Sequence, residues 1–370
     1  MSNTFGGAVR LTIFGESHGA AIGAVLDGLA AGHPVDEGYI AFQMDKRRAK
    51  KDGLSTARTE ADRVRILSGV YNGFTTGTPV TLVIENQNTR PGDYAKTAGL
   101  ARPGHADYTA HVKYAGFEDP RGGGHFSGRV TAALTAAGAL CQGILAARGV
   151  SIATHIARVA NAQDAPLAFE ESALRAQLAA LEQNTGFPVL DAAAGEEMQA
   201  AIRAAAAAGD SVGGVLETAV LGLPAGLGEP FFDSVESVLS HLLFSIPAVK
   251  GVEFGAGFGF AGLMGSQAND PLTVENGRVR ALSNNAGGIN GGITNGMPLV
   301  FRSCVRPTPS IYKQQQTVDL AKNEPATLQI QGRHDPCILH RAAIVQTAAV
   351  AFGLLDLLTR NDGGQRQAGR

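Results

Sequence analysis

Glycine limits how this chain can fold more than any other residue type, because 48 of its 370 residues are glycine. The glycines gather in short segments beside ionisable residues, most densely in RGGGHFSGR at 121–129. A residue without a Cβ adopts positive φ at low cost and lets the backbone approach a ligand closely. An adjacent arginine can bind a carboxylate or a phosphate through two hydrogen bonds. On spacing alone, however, a plain glycine turn between two elements is the favoured interpretation of this segment.

The patterns of apolar residues predict strands and helices that follow one another irregularly. Residues 9–15 alternate as in a strand, and residues 65–86 contain two β-rich runs that predict a hairpin. Residues 129–150 and 337–360 predict helices built from small and apolar residues. Because the elements lack a regular βαβ alternation, an α+β fold is favoured over a doubly wound sheet. No G-x-G-x-x-G opens a helix after a first strand, which disfavours a Rossmann domain.

The domain organisation predicted from the sequence is simple. No segment has the composition of a linker, and residues 166–208 are alanine-rich helix formers that carry no functional signal. We therefore predict one catalytic domain over residues 1–360 and a disordered tail at 361–370.

Charge and cysteine content exclude several classes of protein. The formal net charge is −2, so that no basic field favours a nucleic-acid partner. Cys141, Cys304 and Cys337 are far apart, odd in number and without C-x-x-C spacing, which is typical of buried or free thiols in a reducing compartment. No signal peptide is visible, and no run is expected to approach the roughly eighteen apolar residues that span a bilayer. The sequence therefore predicts a cytoplasmic protein without a membrane partner.

Two histidines are candidates for proton transfer. His18 and His105 each lie in a glycine-containing turn beside a carboxylate, Glu16 or Asp107, and such a neighbour fixes the tautomer of a general acid. The carboxylates could equally be helix caps or turn-stabilising groups. Ionisable residues and glycines concentrate in five segments, GESHG (15–19), MDKRRAKK (44–51), RPGHAD (102–107), RGGGHFSGR and GRHDPC (332–337). Four further histidines, by contrast, are interpreted as structural, namely His33, His111, His155 and His241.

Three other chemistries fit the sequence poorly. Zinc ligands spaced as in H-E-x-x-H are absent, and so is the P-loop pattern G-x-x-x-x-G-K-[ST]. Ser17 in GESHG has the spacing of a hydrolase nucleophile elbow, but its neighbour is His18, whereas a hydrolase triad takes its histidine from far along the chain. Histidine, carboxylate and arginine together suggest proton transfer on a phosphorylated or carboxylated substrate.

Taken together, these segments resemble the chorismate synthase family from about residue 5 to about residue 355. The motifs that carry the resemblance, in order, are FGESHG, RPGHADYT with KY, RGGG followed by S and R, DSVGG, IPAVKGVEFG, NNAGGINGGITNG, RPTPSI with TVD, and GRHDPC. The resemblance implies conversion of 5-enolpyruvylshikimate 3-phosphate to chorismate, a 1,4-elimination that needs reduced FMN without net redox change. It also implies helices sandwiched between antiparallel sheets, and a homotetramer. No reductase domain is visible, so that NADPH would act only indirectly, through an external flavin reductase.

The resemblance also implies roles for individual residues. His18 corresponds to the acid that protonates the departing phosphate, His105 to the partner of the reduced flavin, and Asp335 to the carboxylate near flavin N5 that relays the abstracted proton. The implied substrate-binding residues are Ser17, Arg47, Arg48, Arg102, Ser127 and Arg129. The implied FMN-binding residues are His125, Phe126, Ser127, Ala248, Lys250, Gly291, Arg306, Pro307, Thr308, Ser310 and Arg333.

The chain departs from the family pattern at a few positions. His125 and Phe126 stand where the family has arginine and serine, so that a titratable group replaces a permanent cation. Alternatively, His125 simply bonds a neighbouring carbonyl group. Gly53 falls where many members have a substrate-contacting arginine, and His340 falls where proline is common. The three implied catalytic residues are unchanged.

Two other functions compete with this interpretation. A diverged paralogue would bind reduced flavin and act on another phosphorylated acid, whereas a non-catalytic flavin-binding protein would need neither histidine. Because His18, His105 and Asp335 are all present, the sequence disfavours the non-catalytic alternative. The basic pair Arg47–Arg48 could also be a solvated helix end rather than a phosphate site.

Overall fold

The computed structural model describes residues 3–50, 53–55, 61–87, 99–275, 277–330 and 334–367, with side chains described up to residue 364. The helices are α1 (Glu37–Arg47), α2 (Asp107–Tyr114), α3 (Thr131–Ala147), α4 (Glu171–Gln183), α5 (Ala192–Ala207), α6 (Val235–Ser245), α7 (Gly265–Ala268) and α8 (Leu339–Gln367). The strands are β1 (Thr4–Phe5), β2 (Arg10–Gly15), β3 (Ala21–Asp27), β4 (Val64–Ser68), β5 (Val70–Tyr71), β6 (Phe74–Thr75), β7 (Val80–Glu85), β8 (Ser151–Val159), β9 (Ala162–Gln163), β10 (Gly214–Leu221), β11 (Val249–Phe254), β12 (Leu272–Glu275), β13 (Arg278–Ala281), β14 (Ile289–Asn290), β15 (Ile293–Thr294), β16 (Leu299–Val305), β17 (Gln315–Asp319) and β18 (Glu324–Leu328).

Two five-stranded antiparallel sheets form the outer layers of the core. The first sheet has the order β1-β2-β3-β7-β4, and the second has the order β11-β16-β10-β8-β9. In the first sheet Ala24 pairs with Leu82, and both side chains are fully buried. The alternation of apolar residues along β7 therefore turns one face toward the helices.

Helices fill the space between the sheets. α3 packs on β3 and β7 of the first sheet, α8 packs on β8 and β10 of the second, and α3 and α8 pack on each other. A Cβ at Gly138 of α3 would lie 2.4 Å from the Cα of Ala348 in α8, so that the two backbones can approach this closely only because position 138 is glycine. α4 and α5 lie outside the second sheet, on β8 and β9. The predicted α+β sandwich of helices between antiparallel sheets is confirmed.

The expectation that no run is long and apolar enough to span a membrane is wrong. Two helical segments, 128–147 and 339–364, are long and apolar enough to cross a bilayer. Their most apolar windows are 78% and 94% buried inside the structure. This burial is typical of core helices, which pass the same test of composition.

The boundary predicted at residue 360 differs from the structure. α8 runs from Leu339 through Gln367, so that residues 361–367, expected to be disordered, continue this helix. Arg148, just after α3, forms an ion pair with Asp362 on the added turn, with Nη1 2.8 Å from Oδ2. The division into a domain at 1–360 and a tail stays a prediction.

A buried carboxylate connects the start of the first sheet to α8. The carboxylate of Asp356 is fully buried and accepts hydrogen bonds from the backbone N–H groups of Gly7, Ala8 and Val9, at 3.0, 2.8 and 2.9 Å. Arg360, one turn further along α8, donates to the same carboxylate. The charge of Asp356 is thereby satisfied inside the core, as buried charges require.

His155 is a structural histidine, as predicted. Its side chain is 1% exposed, with Nδ1 2.7 Å from Asp164 Oδ2 and Nε2 3.1 Å from Glu217 Oε2. Burial alone would lower the pKa of His155, but the hydrogen bonds to the two carboxylates outweigh burial and raise it. A protonated imidazole is the only form that donates to both carboxylates at once.

This arrangement predicts a pH-dependent stability. A raised pKa in the folded state means that the full contribution of His155 is present below its ordinary pKa of about 6.5, and is lost as the pH rises through the raised value. We expect urea unfolding to show lower stability at pH 9 than at pH 6. His155→Gln should lower the free energy of unfolding by roughly 3 kcal/mol at pH 6, because it removes one partner of a buried ion pair. The variant should also show a weaker dependence on pH, and parallel curves for the two proteins would contradict the prediction.

Candidate active site

His18 lies in the turn that connects β2 to β3. The backbone N–H of Gly19 donates to Glu16 O at 3.2 Å, which makes Ser17 and His18 the two central residues of a four-residue turn. The N–H of Ser17 donates to Gly124 O at 3.0 Å, so that the turn is attached to the triple-glycine segment. The side chains of both central residues are nearly buried, with 2% of Ser17 and 7% of His18 exposed.

His105 is oriented by Asp107, at the start of α2. His105 Nδ1 lies 2.7 Å from Asp107 Oδ1, while Arg102 contacts the same carboxylate through Nε and Nη2, both at 2.7 Å. Burial of Asp107 opposes its ionisation, but the hydrogen bonds from Arg102 and His105 hold the pKa of its carboxyl far below its usual range. An ionised carboxylate only accepts hydrogen bonds, which places a proton on Nδ1 and leaves Nε2 as the atom for chemistry.

Three successive glycines bring the two histidines together. Gly122, Gly123 and Gly124 have φ of 61°, 84° and 53°. A Cβ on Gly122 would lie 2.3 Å from His18 Cε1, and a Cβ on Gly123 would lie 2.8 Å from His105 Cε1. Both rings therefore rest on a surface that only glycine provides, in a segment that also connects α2 to α3.

Arg47 is buried and bound to protein acceptors, so that the solvated-end interpretation is wrong for this residue. It is 3% exposed, and its guanidinium donates to Thr131 Oγ1 at 3.1 Å and to Gly128 O at 2.6 Å. Its Nη1 lies 3.3 Å from Asp62 Oδ2. Arg48 is half-buried and pairs with Asp45 of its own helix at 3.1 Å.

Arg129 is held from two sides. Its Nη1 forms an ion pair with Asp62, the carboxylate that also binds Arg47, and its Nε donates to Asn86 Oδ1 at 3.0 Å. Asp62 has φ of 44°, which costs energy for a residue with a Cβ. Ser127 accepts from the N–H of Arg129 at 3.3 Å and so fixes the local backbone.

Asp335 joins the same group through Arg341 of α8. Arg341 Nη1 lies 2.6 Å from Asp335 Oδ2, and Arg341 Nε donates to Arg47 O at 2.9 Å. Burial and the charge of Arg102 lower the pKa of the neighbouring His334, and the charge of Asp335 opposes this shift without reversing it. The structure therefore brings His18 and His105 together at the triple glycine, and it connects Asp335 through Arg341 to the backbone of Arg47.

The residues predicted to bind FMN fall into separate groups. His125 Nδ1 lies 2.7 Å from Gly15 O, the carbonyl contact of the alternative interpretation, and Phe126 packs its ring 6.2 Å from that of Tyr114. Lys250 is exposed on β11, and Gly291 lies in the exposed turn between β14 and β15. Arg333 lies outside the described residues.

The loop after β16 fits an anionic cofactor. Arg306 Nε and Thr308 Oγ1 are buried polar atoms without a hydrogen-bond partner among the described residues. Arg306 donates its backbone N–H to Ala248 O at 3.0 Å, and a Cβ on Gly104 would lie 3.1 Å from Arg306 Nη1, so that this loop abuts the His105 segment. Pro307 precedes Thr308 in the same loop, and Ser310 is 8% exposed. Buried donors of this kind are suited to a phosphate or to the polar edge of a flavin.

Sequence reasoning missed Asp62, Asn86 and Arg341. Asn86 follows β7 directly, where a polar residue after a buried strand was an available signal, whereas nothing local distinguishes Asp62 or Arg341. Of the departures from the family pattern, Gly53 has φ of 75° with open space beside it. His340 Nε2 lies 2.8 Å from Ser55 Oγ, and its ring stacks on that of Phe187.

Comparisons with known proteins show which family the chain belongs to. The family model described as chorismate synthase matches residues 9–359. A chorismate synthase from Dehalococcoides mccartyi strain BAV1 is 45% identical over 360 residues, covering 97% of each chain. One from Methanosarcina barkeri is 45% identical over 361 residues, covering 97% of this chain and 96% of that one. A solved structure, "Crystal Structure of Chorismate Synthase", has a TM-score of 0.76 and 28% identity, with 96% of this chain and 93% of that chain covered. The chain therefore belongs to the chorismate synthase family, as its motifs predicted.

Proposed function

We propose that the region around the triple glycine binds 5-enolpyruvylshikimate 3-phosphate and reduced FMN, and that His18, His105 and Asp335 move its protons. The activity itself is that of a chorismate synthase, a lyase of the shikimate pathway that eliminates phosphate to give chorismate. The observation that carries the proposal is the contact of both histidine rings with one glycine surface.

The three residues take part in different steps of the reaction, according to where each lies. A 1,4-elimination breaks the C–O bond to phosphate and one C–H bond, and forms a new C=C bond. His18, in its nearly buried turn, donates a proton to the departing phosphate. Asp335, held by Arg341, accepts the proton that leaves carbon.

The flavin site is supported by the buried donors of the 306–310 loop. Reduced FMN, when bound, supplies an electron-rich ring that assists departure of the phosphate. Arg306 and Thr308 would hold its polar groups, with His125, Phe126, Ser127, Ala248, Lys250, Gly291, Pro307, Ser310 and Arg333 as further proposed contacts. His105 would offer Nε2 to the flavin, because its Nδ1 is bound to Asp107.

The substrate carries several negative charges, which suits the arginines near the histidines. Ser17, Arg47, Arg48, Arg102, Ser127 and Arg129 are the proposed contacts. Arg102 and Arg129 each already bind a protein carboxylate, Asp107 and Asp62, which fixes the orientation of both guanidinium groups before substrate arrives. Because Arg47 is buried, its side chain does not extend into solvent. Its contribution is to position the neighbouring residues and to add positive charge to the proposed substrate site.

A homotetramer is proposed from exposed apolar residues. Phe258, Met264, Leu272, Val274 and Val279 are 67–84% exposed on one stretch that includes α7, β12 and β13. Several large apolar side chains exposed along one segment are typical of an interface. Multi-angle light scattering on the purified protein tests the assembly, and a monomer at micromolar concentration would contradict it.

The function is tested by an anaerobic assay with the enolpyruvyl substrate and chemically reduced FMN. We expect phosphate and chorismate to form in equal amounts with reduced FMN. NADPH with oxidised FMN should give no product unless a separate flavin reductase is added, in keeping with a cytoplasmic enzyme supplied by an external reductant. Flavin binding without product would support the non-catalytic alternative. Phosphate release from a different phosphorylated acid alone would support the paralogue.

A further inference from the structure

We propose that Asn86 is a positioning residue that fixes the His18 turn and Arg129 relative to each other. The inference rests on the proposed function for the roles of His18 and Arg129, but the contacts themselves belong to the fold. Asn86 lies directly after β7 and is half-buried. It is absent from the motifs that identified the site.

The side-chain amide of Asn86 bridges the ends of the His18 turn. Its Nδ2 donates to Glu16 O at 3.0 Å and to Gly19 O at 2.9 Å. These carbonyl groups belong to the first and last residues of the turn, whose central residues are Ser17 and His18. The backbone N–H of Asn86 adds a third bond, to Ala20 O at 3.1 Å. Both amide protons are therefore used to hold the shape of one turn.

The other end of the same amide holds Arg129. Asn86 Oδ1 accepts from Arg129 Nε at 3.0 Å, while Asp62 pairs with Nη1 of the same guanidinium. Two acceptors at different nitrogens fix the plane of a guanidinium, which a single contact does not. A planar amide has rigid geometry, so that any shift of the turn is transmitted to the arginine and the reverse.

Asparagine is suited to this role because one side chain must both donate and accept. Aspartate at this position would keep an acceptor for Arg129 but would have no proton for the two carbonyl groups, and its charge would repel them. Alanine would remove both functions. Comparing the two variants therefore distinguishes the loss of the hydrogen bonds to the turn from the loss of the whole side chain.

The experiment measures kcat of Asn86→Ala and Asn86→Asp in the anaerobic assay, with Asn184→Ala as a matched control. Asn184 also donates to a backbone carbonyl and accepts from a backbone N–H, at Phe187 O and Gly186 N, outside the site. We expect both Asn86 variants to lose about 10²-fold in kcat, the effect of a misplacement of about 1 Å. The control should stay within about twofold of wild type.

A double-mutant cycle distinguishes positioning from general destabilisation. If Asn86 acts partly through His18, adding Asn86→Ala to His18→Ala should cost clearly less than the about 10²-fold that it costs alone, because only its effect through Arg129 then remains. Multiplying effects in the double variant, or an unchanged kcat in the Asn86 variants, would overturn the proposal.

Hydrogen–deuterium exchange provides a readout that does not depend on activity. The peptide that covers residues 15–20 should exchange faster in Asn86→Ala than in wild type, and unchanged exchange there would overturn the bracing of the turn. A wild-type protein that forms no chorismate would instead contradict the proposed function. The exchange result would then still decide whether Asn86 holds the turn.

Discussion

Replacing His18 with alanine is expected to lower kcat by roughly 10²–10⁴-fold, the range for loss of a general acid. The residue lies in a braced turn, 7% exposed, and its ring rests on Gly122. Because the acid is needed only as phosphate departs, affinity for the substrate and for FMN should change much less. Steady-state assays with reduced FMN and saturating substrate give kcat, and isothermal titration calorimetry gives the two affinities.

His105→Ala is expected to behave similarly, because Asp107 holds its ring in one orientation. His111→Ala is the matched control, since His111 contacts Glu118 near the end of α2 and lies outside the site. It should keep wild-type turnover. If His18→Ala and His105→Ala both turn over at near the wild-type rate, the assigned proton transfers are wrong.

Gly122→Ala is expected to lower kcat by about 10²-fold without changing the catalytic groups themselves. The added methyl group would lie 2.3 Å from His18 Cε1 and 3.0 Å from Ser17 Oγ, so that the His18 turn must move. The positive φ adds backbone strain, which costs roughly 1–3 kcal/mol of stability. Measured kcat and the midpoint of thermal unfolding separate the two effects.

Gly73→Ala isolates the strain from the contact. Gly73 has φ of 78°, similar to Gly122, but nothing lies within 4 Å of the added Cβ. This control should lose stability and keep kcat. An equal loss of kcat in both variants would show that strain, rather than displacement of the histidine, explains the result at Gly122.

The sequence predicted the residue types of the site better than their arrangement. His18, His105 and Asp335 were found because each lies in a short motif, and motifs are local. The proximity of His18 and His105 depends on Gly122 and Gly123, which lie about 100 and 20 residues from these histidines in the sequence. Apolar periodicity predicts one helix or strand at a time, and it does not indicate which turns lie next to each other in the folded protein.

Burial of charge was the other property that the sequence did not reveal. From the sequence alone, the cationic end of α1 could be interpreted as solvated. In the structure Arg47 is buried, and the cost of its burial is offset by hydrogen bonds to Asp62, Thr131 and Gly128, which lie elsewhere in the sequence. The helix beyond residue 360 was missed for a similar reason. Glycines at 363 and 364 lower helix propensity, whereas Asp362 gains a partner in Arg148.

The contact of Asp356 with the amides of residues 7–9 has a consequence for synthesis of the protein. The partners are 347–349 positions apart, so that nearly the whole chain must be made before they can meet. A ribosome adds about 5–20 residues per second, which leaves the early strands without this anchor for roughly 20–70 s. During that interval their apolar faces are open to chaperones and proteases. The yield of folded enzyme therefore depends on how long the nascent chain is protected, and a premature stop before residue 339 would leave a chain without α8.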